Sequence, residues 1–322
     1  MKNYRRIFIS LACTSLFLGA CSQTDTKENP VSNEQESETV YTITDDLNRT
    51  VEVKSPQRVA ALIGSFADLW VSAGGQDTLA AAAHDTWTSF AISTNGVQDV
   101  GEVKNINTEA LLGADCDLVI ASAKNDSQKE LLSLLDNAGI PVLYFDVSSF
   151  EDYLRVLDIF TDLTGRKDLY QTNGLDLQQE IEEINAKAKE QDSKTAVYIR
   201  ITKSSVKTVN WSNSVLGQML SDFGAVNALG NEQEGEFSME ALLAADPDQI
   251  YLVYQGSNRE VLDEQAQNAF FSLPAWSQLT AVQNDQVFEM DPSLFNLKPN
   301  ARWAQAAETL YETMFDKSWK ED

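Results

Sequence analysis

The chain has 322 residues, 43% of them hydrophobic, which is enough material for two cores of ordinary domain size. Its formal net charge is −25, and three of its few cations, Lys2, Arg5 and Arg6, lie in the first twenty residues. So acidic a chain lacks the basic face that nucleic-acid phosphates require. A single histidine, His84, and three cysteines exclude a metal site built from several imidazoles and leave a Ser-His-Asp triad only one candidate base.

Lys2 to Arg6 form a basic n-region, Ile7 to Gly19 an apolar h-region, and Leu18-Gly19-Ala20 sets small residues before Cys21. The pattern reads as a bacterial lipoprotein signal over 1–20, with cleavage before Cys21 and acyl (palmitate-type) lipid on its sulfur. Residues 21–39 are rich in Ser, Asn, Gln, Glu and Thr and read as a disordered tether. No later run approaches the length of a membrane span. After cleavage only Cys21 and Cys116 remain, so no disulfide can form within the chain, and Cys116, before an apolar run, reads as a packed thiol.

Residues 40–165 read as an N-terminal α/β lobe. Val40 to Val53 alternates around Asp46-Leu47-Asn48-Arg49, a hairpin in which Asn48 takes a positive φ. Arg58 to Ile63, Leu79 to Ala83, Leu118 to Ala121 and Val142 to Phe145 are expected as buried parallel strands. Ser65-Phe66-Ala67-Asp68 reads as a capping box opening a helix that stops at Gly74-Gly75. The acidic pair Asp45-Asp46 reads as a solvated turn and not as an acid/base pair. Ser149 to Thr164 is an amphipathic helix closed by Gly165. Residues 166–191 form a charged connecting helix whose weak point, Asn173-Gly174, costs about 1 kcal/mol without breaking it. At roughly 1.5 Å per residue that helix reaches on the order of 35 Å, and it limits hinge motion between lobes.

Residues 192–322 repeat the programme as a C-terminal lobe. Thr195 to Thr202, Ile250 to Tyr254 and Val287 to Met290 are strands, Ser214 to Phe223 a helix, and Arg302 to Phe315 a final amphipathic helix with Trp303, Ala306, Ala307, Leu310 and Met314 on one face. The strongest internal signal is a repeat. Thr108-Glu109-Ala110-Leu111-Leu112-Gly113-Ala114-Asp115-Cys116-Asp117 returns as Met239-Glu240-Ala241-Leu242-Leu243-Ala244-Ala245-Asp246-Pro247-Asp248. Each copy is a short helix that stops at Asp-x-Asp and feeds an apolar strand, so the two halves are expected to be similar α/β lobes. Ligands of open α/β sheets bind beyond the carboxyl ends of the strands. On position alone the candidate ligand contacts are Ser65, Phe66, Trp87, Arg200, Lys203, Trp211, Tyr254, Phe295 and Lys298. Arg200 stands out as a cation near the end of an apolar strand.

Asp46-Leu47-Asn48-Arg49-Thr50-Val51-Glu52-Val53, Pro56-Gln57-Arg58-Val59, Gly64-Ser65-Phe66-Ala67-Asp68, both Glu-Ala-Leu-Leu copies, Ala281 to Val287 and Lys298-Pro299-Asn300-Ala301-Arg302-Trp303 resemble the helical-backbone substrate-binding proteins of ABC importers. That family takes up ferric siderophores, haem and cobalamin. The resemblance implies two Rossmann-like lobes joined by one long helix, a ligand cleft between them, and no enzymatic activity. It further implies delivery of an iron complex, first of all a ferric siderophore, to a permease with its ATPase. Haem, cobalamin, and a non-transport sensory or surface-interaction role are the alternatives. The family docks through one glutamate per lobe, which falls on Glu109 and Glu240. Asn48 stands where the family usually has glycine. The expected protein is a monomer held by Cys21 on the extracytoplasmic side of the cell membrane, without resident metal or cofactor, its ligand being a metal chelate. Cys21→Ser is expected to release it from the membrane fraction, because no other segment is apolar enough to anchor it; fractionation of cells expressing the variant checks this, and retention on the membrane would overturn the anchor.

Overall fold

The computed structural model describes residues 39–230, 235–256 and 258–318. The signal segment, Cys21 and nearly all of the tether lie outside the described residues.

The chain opens with an antiparallel hairpin, Val40–Thr44 on Thr50–Lys54. Asn48 closes it at φ 59°, the left-handed region that asparagine tolerates. Asp45 is 3% exposed, which corrects the expectation of a solvated turn. Its carboxylate accepts from the backbone N–H groups of Leu47 and Arg49 and from the Arg49 guanidinium. Asp46 in turn accepts from the Asp146 N–H and from Arg155. Both carboxylates serve the turn and its attachment to the first sheet.

That sheet is wholly parallel, in the order Gln98–Asp99, Leu79–Ala82, Val59–Ala61, Leu118–Ser122, Val142–Phe145. Four of the five strands lie where the sequence places them. The two-residue edge strand carries too little pattern to read. The second sheet has Thr195–Thr202, Gln249–Gln255 and Val287–Met290 as parallel neighbours. The first of them also pairs with Val206–Thr208, antiparallel, and with Val226–Asn227, and Gly235–Glu236 extends the edge.

The repeat holds atom by atom. Asn107 and Ser238 cap their helices by accepting from the N–H groups of Ala110 and Ala241 at 3.1 and 3.2 Å. Leu111 and Leu242 are fully buried. Asp115 (φ 52°) and Asp246 (φ 37°) turn the chain out of the helix in the left-handed region, the usual way for a helix to stop when no glycine is present. The following aspartates then staple each strand to its neighbour: Asp117 accepts from the N–H groups of Gln57 and Arg58, and Asp248 from Thr195. Cys116 is buried between them, its thiol pushed up to about 11 by burial.

Phe150–Thr164 is helical with Ser149 and Asp152 forming a capping box, and Gly165 ends it at φ 71°. The connecting stretch is helical from Lys167 to Lys189, but Gln171–Leu175 widens into a π turn. The cause is packing as much as composition. Gly174 lies against the preceding helix, where a Cβ would approach Leu154 and Leu157 to 3.1 and 3.2 Å. The Asn173 carbonyl accepts from the Tyr153 hydroxyl at 2.6 Å, and its amide donates to the Ser72 carbonyl at 2.8 Å. The final helix, Trp303–Phe315, packs on Asp176–Lys189, with all five expected apolar residues buried. One continuous core therefore runs from Phe66, Trp70, Phe145 and Phe160 through Trp303 to Tyr198, Trp211 and Tyr311.

Gly217, in the Val215–Asp222 helix, touches this core without a side chain. A Cβ there would lie 2.3 Å from Trp211 Cα, a backbone atom that cannot swing aside. Gly217→Ala is expected to destabilise the protein by about 1–3 kcal/mol despite the higher helix propensity of alanine. Urea unfolding of the variant measures it, and an unchanged midpoint would show that the helix can shift.

Candidate functional site

Residues at and beyond the strand ends of both sheets converge on a cavity of about 170 Å³. From the first lobe come Ser122, Lys124, Asp146, Val147 and Ser148, directly after the Leu118–Ser122 and Val142–Phe145 strands. From the second come Tyr198, Arg200, Asn213, Ser214, Phe295 and Lys298. Three cations thus line one small space in an acidic protein. Lys124 is committed to its own lobe, 3.1 Å from Asp146 and donating to the Ser148 hydroxyl at 2.7 Å. Arg200 is half-buried on the Thr195–Thr202 strand, opposite Lys207 on one side and Val253 on the other. The hydrocarbon wall is Phe295, fully buried behind the cavity.

Lys298 crosses between the lobes. It leaves the C-terminal lobe half-buried, and its ammonium lies 5.1 Å from the centre of the Phe66 ring of the N-terminal lobe. Burial pulls its pKa below the ordinary lysine range, against the nearby Asp146 carboxylate, while Lys124 adds to the depression and Asp85 opposes it. Two residues on, Asn300 is fully buried at φ 53°. Its amide donates to the Ser65 carbonyl at 2.8 Å and to Asp68 at 2.7 Å. Burial raises the Asp68 pKa; this hydrogen bond works in the other direction.

The capping box expected at Ser65–Asp68 does not form. The Gly64–Ser72 helix begins two residues earlier than that box requires, has Ile63 at its N-cap with no side-chain hydrogen bond, and holds Asp68 on Asn300. Its first N–H, on Gly64, is satisfied instead at 2.9 Å by Asp85, the first residue of the short Asp85–Ser89 helix after the neighbouring strand. A Cβ on Gly64 would sit 2.7 Å from the Phe90 ring and 2.9 Å from the Thr86 nitrogen, so glycine is required for this approach. The start of this helix is therefore held by a carboxylate of its own lobe.

Of the nine residues picked from sequence, Arg200, Phe295 and Lys298 line the cavity, and Phe66 supports Lys298 from beneath. Ser65 is buried at the Asn300 contact, with its hydroxyl unpartnered among the described residues. Trp211 is a core residue, 1% exposed. Trp87 is exposed and stacks on His84, whose Nδ1 lies 2.6 Å from Asp99. Lys203 is exposed on the turn after its strand, its carbonyl accepting from Gln265. Tyr254 lies on the other face of its sheet under the Arg259 guanidinium, 4.0 Å from the ring centre, in a separate groove of about 360 Å³ with Glu289 and Phe271. Strand ends point to both faces of a sheet, and sequence position does not say which face meets the other lobe. Lys124, Asp146 and Ser148 also line the cavity, from the same kind of loop after a strand end, and nothing in their local sequence sets them apart. Glu109 and Glu240 are exposed in the first turns of their matching helices.

Among the described residues no group of three or more His, Cys, Asp or Glu side chains is placed to hold a metal ion, and no helix is long and apolar enough to cross a membrane.

Burial is the main cause holding the Asp85 carboxyl at about 6, opposed by the Gly64 N–H. Between about pH 4 and about 6 the native state keeps a proton that the unfolded chain has released, so this contribution to stability is present in acid and lost as pH rises through the window. Asp85→Asn keeps an oxygen for Gly64 and removes the titration. The variant is expected to flatten that part of the stability profile and to melt higher than the parent above pH 6; melts from about pH 4 to about pH 8 decide, and an unchanged slope would assign the titration elsewhere.

Residues 59–294 match the family described as "Periplasmic binding protein". The chain is 23% identical, along the whole of both chains, to the uncharacterized ABC transporter substrate-binding lipoprotein YvrC of Bacillus subtilis. It is 24% identical to the Fe(3+)-citrate-binding protein YfmC of the same organism, over 87% of this chain and 86% of that one. Staphylococcus aureus SirA, solved with staphyloferrin B, superposes with a TM-score of 0.67 at 18% identity, covering 85% of this chain and 98% of that structure. Two α/β lobes with converging strand ends, matched over most of the described residues, place the chain in the periplasmic binding protein family, among the substrate-binding proteins of ABC transporters.

Proposed function

We propose that the protein captures a ferric siderophore or a similar anionic ferric chelate in the cleft between its lobes and hands it to an ABC permease. The observation that carries this reading is the convergence of Arg200, Lys124 and Lys298 with the Phe295 wall on one cavity. Guanidinium and ammonium groups make charge-assisted hydrogen bonds to the oxygens of a chelate, and apolar wall covers its periphery. Two relatives support it by what they bind: Fe(3+)-citrate for one and staphyloferrin B for the other. The negative charge of the whole protein does not oppose an anionic ligand, because the field inside a low-dielectric cleft is set by its own lining. A cavity of about 170 Å³ is smaller than the roughly 300 Å³ at which pockets begin to enclose a drug-sized molecule. Capture therefore involves parting of the lobes or widening of the loops that carry Lys124 and Lys298. The role is non-enzymatic: the cleft delivers its ligand unchanged. Glu109 and Glu240 face the permease, one from each lobe, and lipid on Cys21 keeps the protein at the outer side of the membrane.

A screen of ferric siderophores, ferric citrate, haem and cobalamin by tryptophan fluorescence tests the ligand. Ferric siderophores are expected to quench, and Arg200→Ala to weaken that binding at least about tenfold, or about 1.4 kcal/mol. Quenching by haem or cobalamin alone would overturn the ferric-chelate reading. A variant that melts lower with unchanged affinity would make Arg200 a structural residue. Glu109→Arg and Glu240→Arg are expected to bind normally while uptake by whole cells falls, since a cation placed against a cationic permease surface is repelled.

A further inference from the structure

We infer that Lys298 is the cleft's reserved cation, receiving a carboxylate-type oxyanion of the ligand, and that capture of such a ligand draws a proton onto this side chain. The inference deepens the proposed function and rests on it for the identity of the chelate. Its ground is the difference between the lining cations. Lys124 is already paired with Asp146 and held by Ser148. The Lys298 ammonium makes neither hydrogen bond nor salt bridge among the described residues; its one close partner is the face of Phe66. An ammonium taken from water and left with only a ring face is costly, and a protein retains one where something else completes it. The position suits that role, because the stem belongs to the C-terminal lobe and the ring beneath the ammonium to the other. An anion bound there touches both lobes at once.

The groups around it set the proton balance. From the first lobe Phe66 lies beneath, with Lys124, Asp146 and Asp85 as the charged neighbours. From its own lobe Arg200 lines the same cavity, as does the neutral Phe295. Burial and Lys124 favour the neutral amine, while Asp146 and Asp85 favour the ammonium. An incoming oxyanion adds to the second set and raises the Lys298 pKa. In the empty protein the depressed pKa has the opposite effect on folding: the unfolded chain holds the proton more tightly, so this contribution to stability grows as pH rises toward the ordinary lysine range. Affinity for an anionic ligand and stability of the empty protein thus depend on pH in opposite directions.

The test uses the whole protein with ferric citrate and metal-free citrate as probes, by calorimetry in buffers of different ionisation enthalpy from about pH 7 to about pH 10, above the titration of Asp85. The wild type is expected to take up protons on binding and to lose affinity as pH rises. Lys298→Met, which keeps the stem over Phe66, is expected to melt at or above the wild-type temperature and to bind at least tenfold more weakly. Lys298→Arg, always charged, is expected to bind without the alkaline loss. Equal affinity in Lys298→Met, or no proton uptake by the wild type, would overturn the inference while leaving the ferric-chelate function standing. Binding of metal-free citrate that depends on Lys298, with no binding of any ferric complex, would do the reverse. No binding of either probe by the wild type would overturn the inference.

Discussion

The structure depends on a buried seam that joins its two sheets. Phe66, Trp70, Phe145 and Phe160 of the first lobe are continuous, through Trp303, with Tyr198, Trp211 and Tyr311 of the second, and Phe150 meets Trp303 edge to face at 5.9 Å. Each ring so buried contributes on the order of 1.5–3 kcal/mol, far more than a flexible linker between independent lobes would supply. Asn300 adds a polar clasp across the same boundary, donating to Ser65 and Asp68. The lobes are thus tied by a long helix, an apolar seam and a hydrogen-bonded loop, which together restrict their relative rotation.

That confinement bears on recognition. Because the seam fixes the approach of the two sheets, Arg200 and Lys298 meet Lys124 and Asp146 around one cavity. The Phe66 helix belongs to both systems: its buried face builds the seam, its start is held by Asp85, and its ring carries the Lys298 ammonium.

The internal repeat shows how much of this was legible beforehand. Two copies of Glu-Ala-Leu-Leu followed by Asp-x-Asp marked two lobes, and the matching caps, buried leucines, left-handed aspartates and strand staples bear the reading out. The helix end at Gly165 is equally plain, since this glycine takes a positive φ. Asp45 and the Ser65–Asp68 capping box were misread, because in each case a partner distant in sequence, Tyr144 and Val142 for the hairpin and Asp85 and Asn300 for the helix, outweighs the local pattern.

Periodicity, caps and composition act over a few residues or over the whole chain, and they encode the main α/β elements, their order, the two similar halves and the acidic balance. Which strand-end residues meet depends on packing between the sheets. Tyr254 and Arg200 stand on neighbouring strands, yet one lies under Arg259 on one face and the other lines the cleft. Lys124 and Lys298 are far apart in the chain and share one cavity. Which face of a sheet turns toward its partner, and which ammonium is left without a carboxylate, follow from packing across the seam, and no local pattern encodes that.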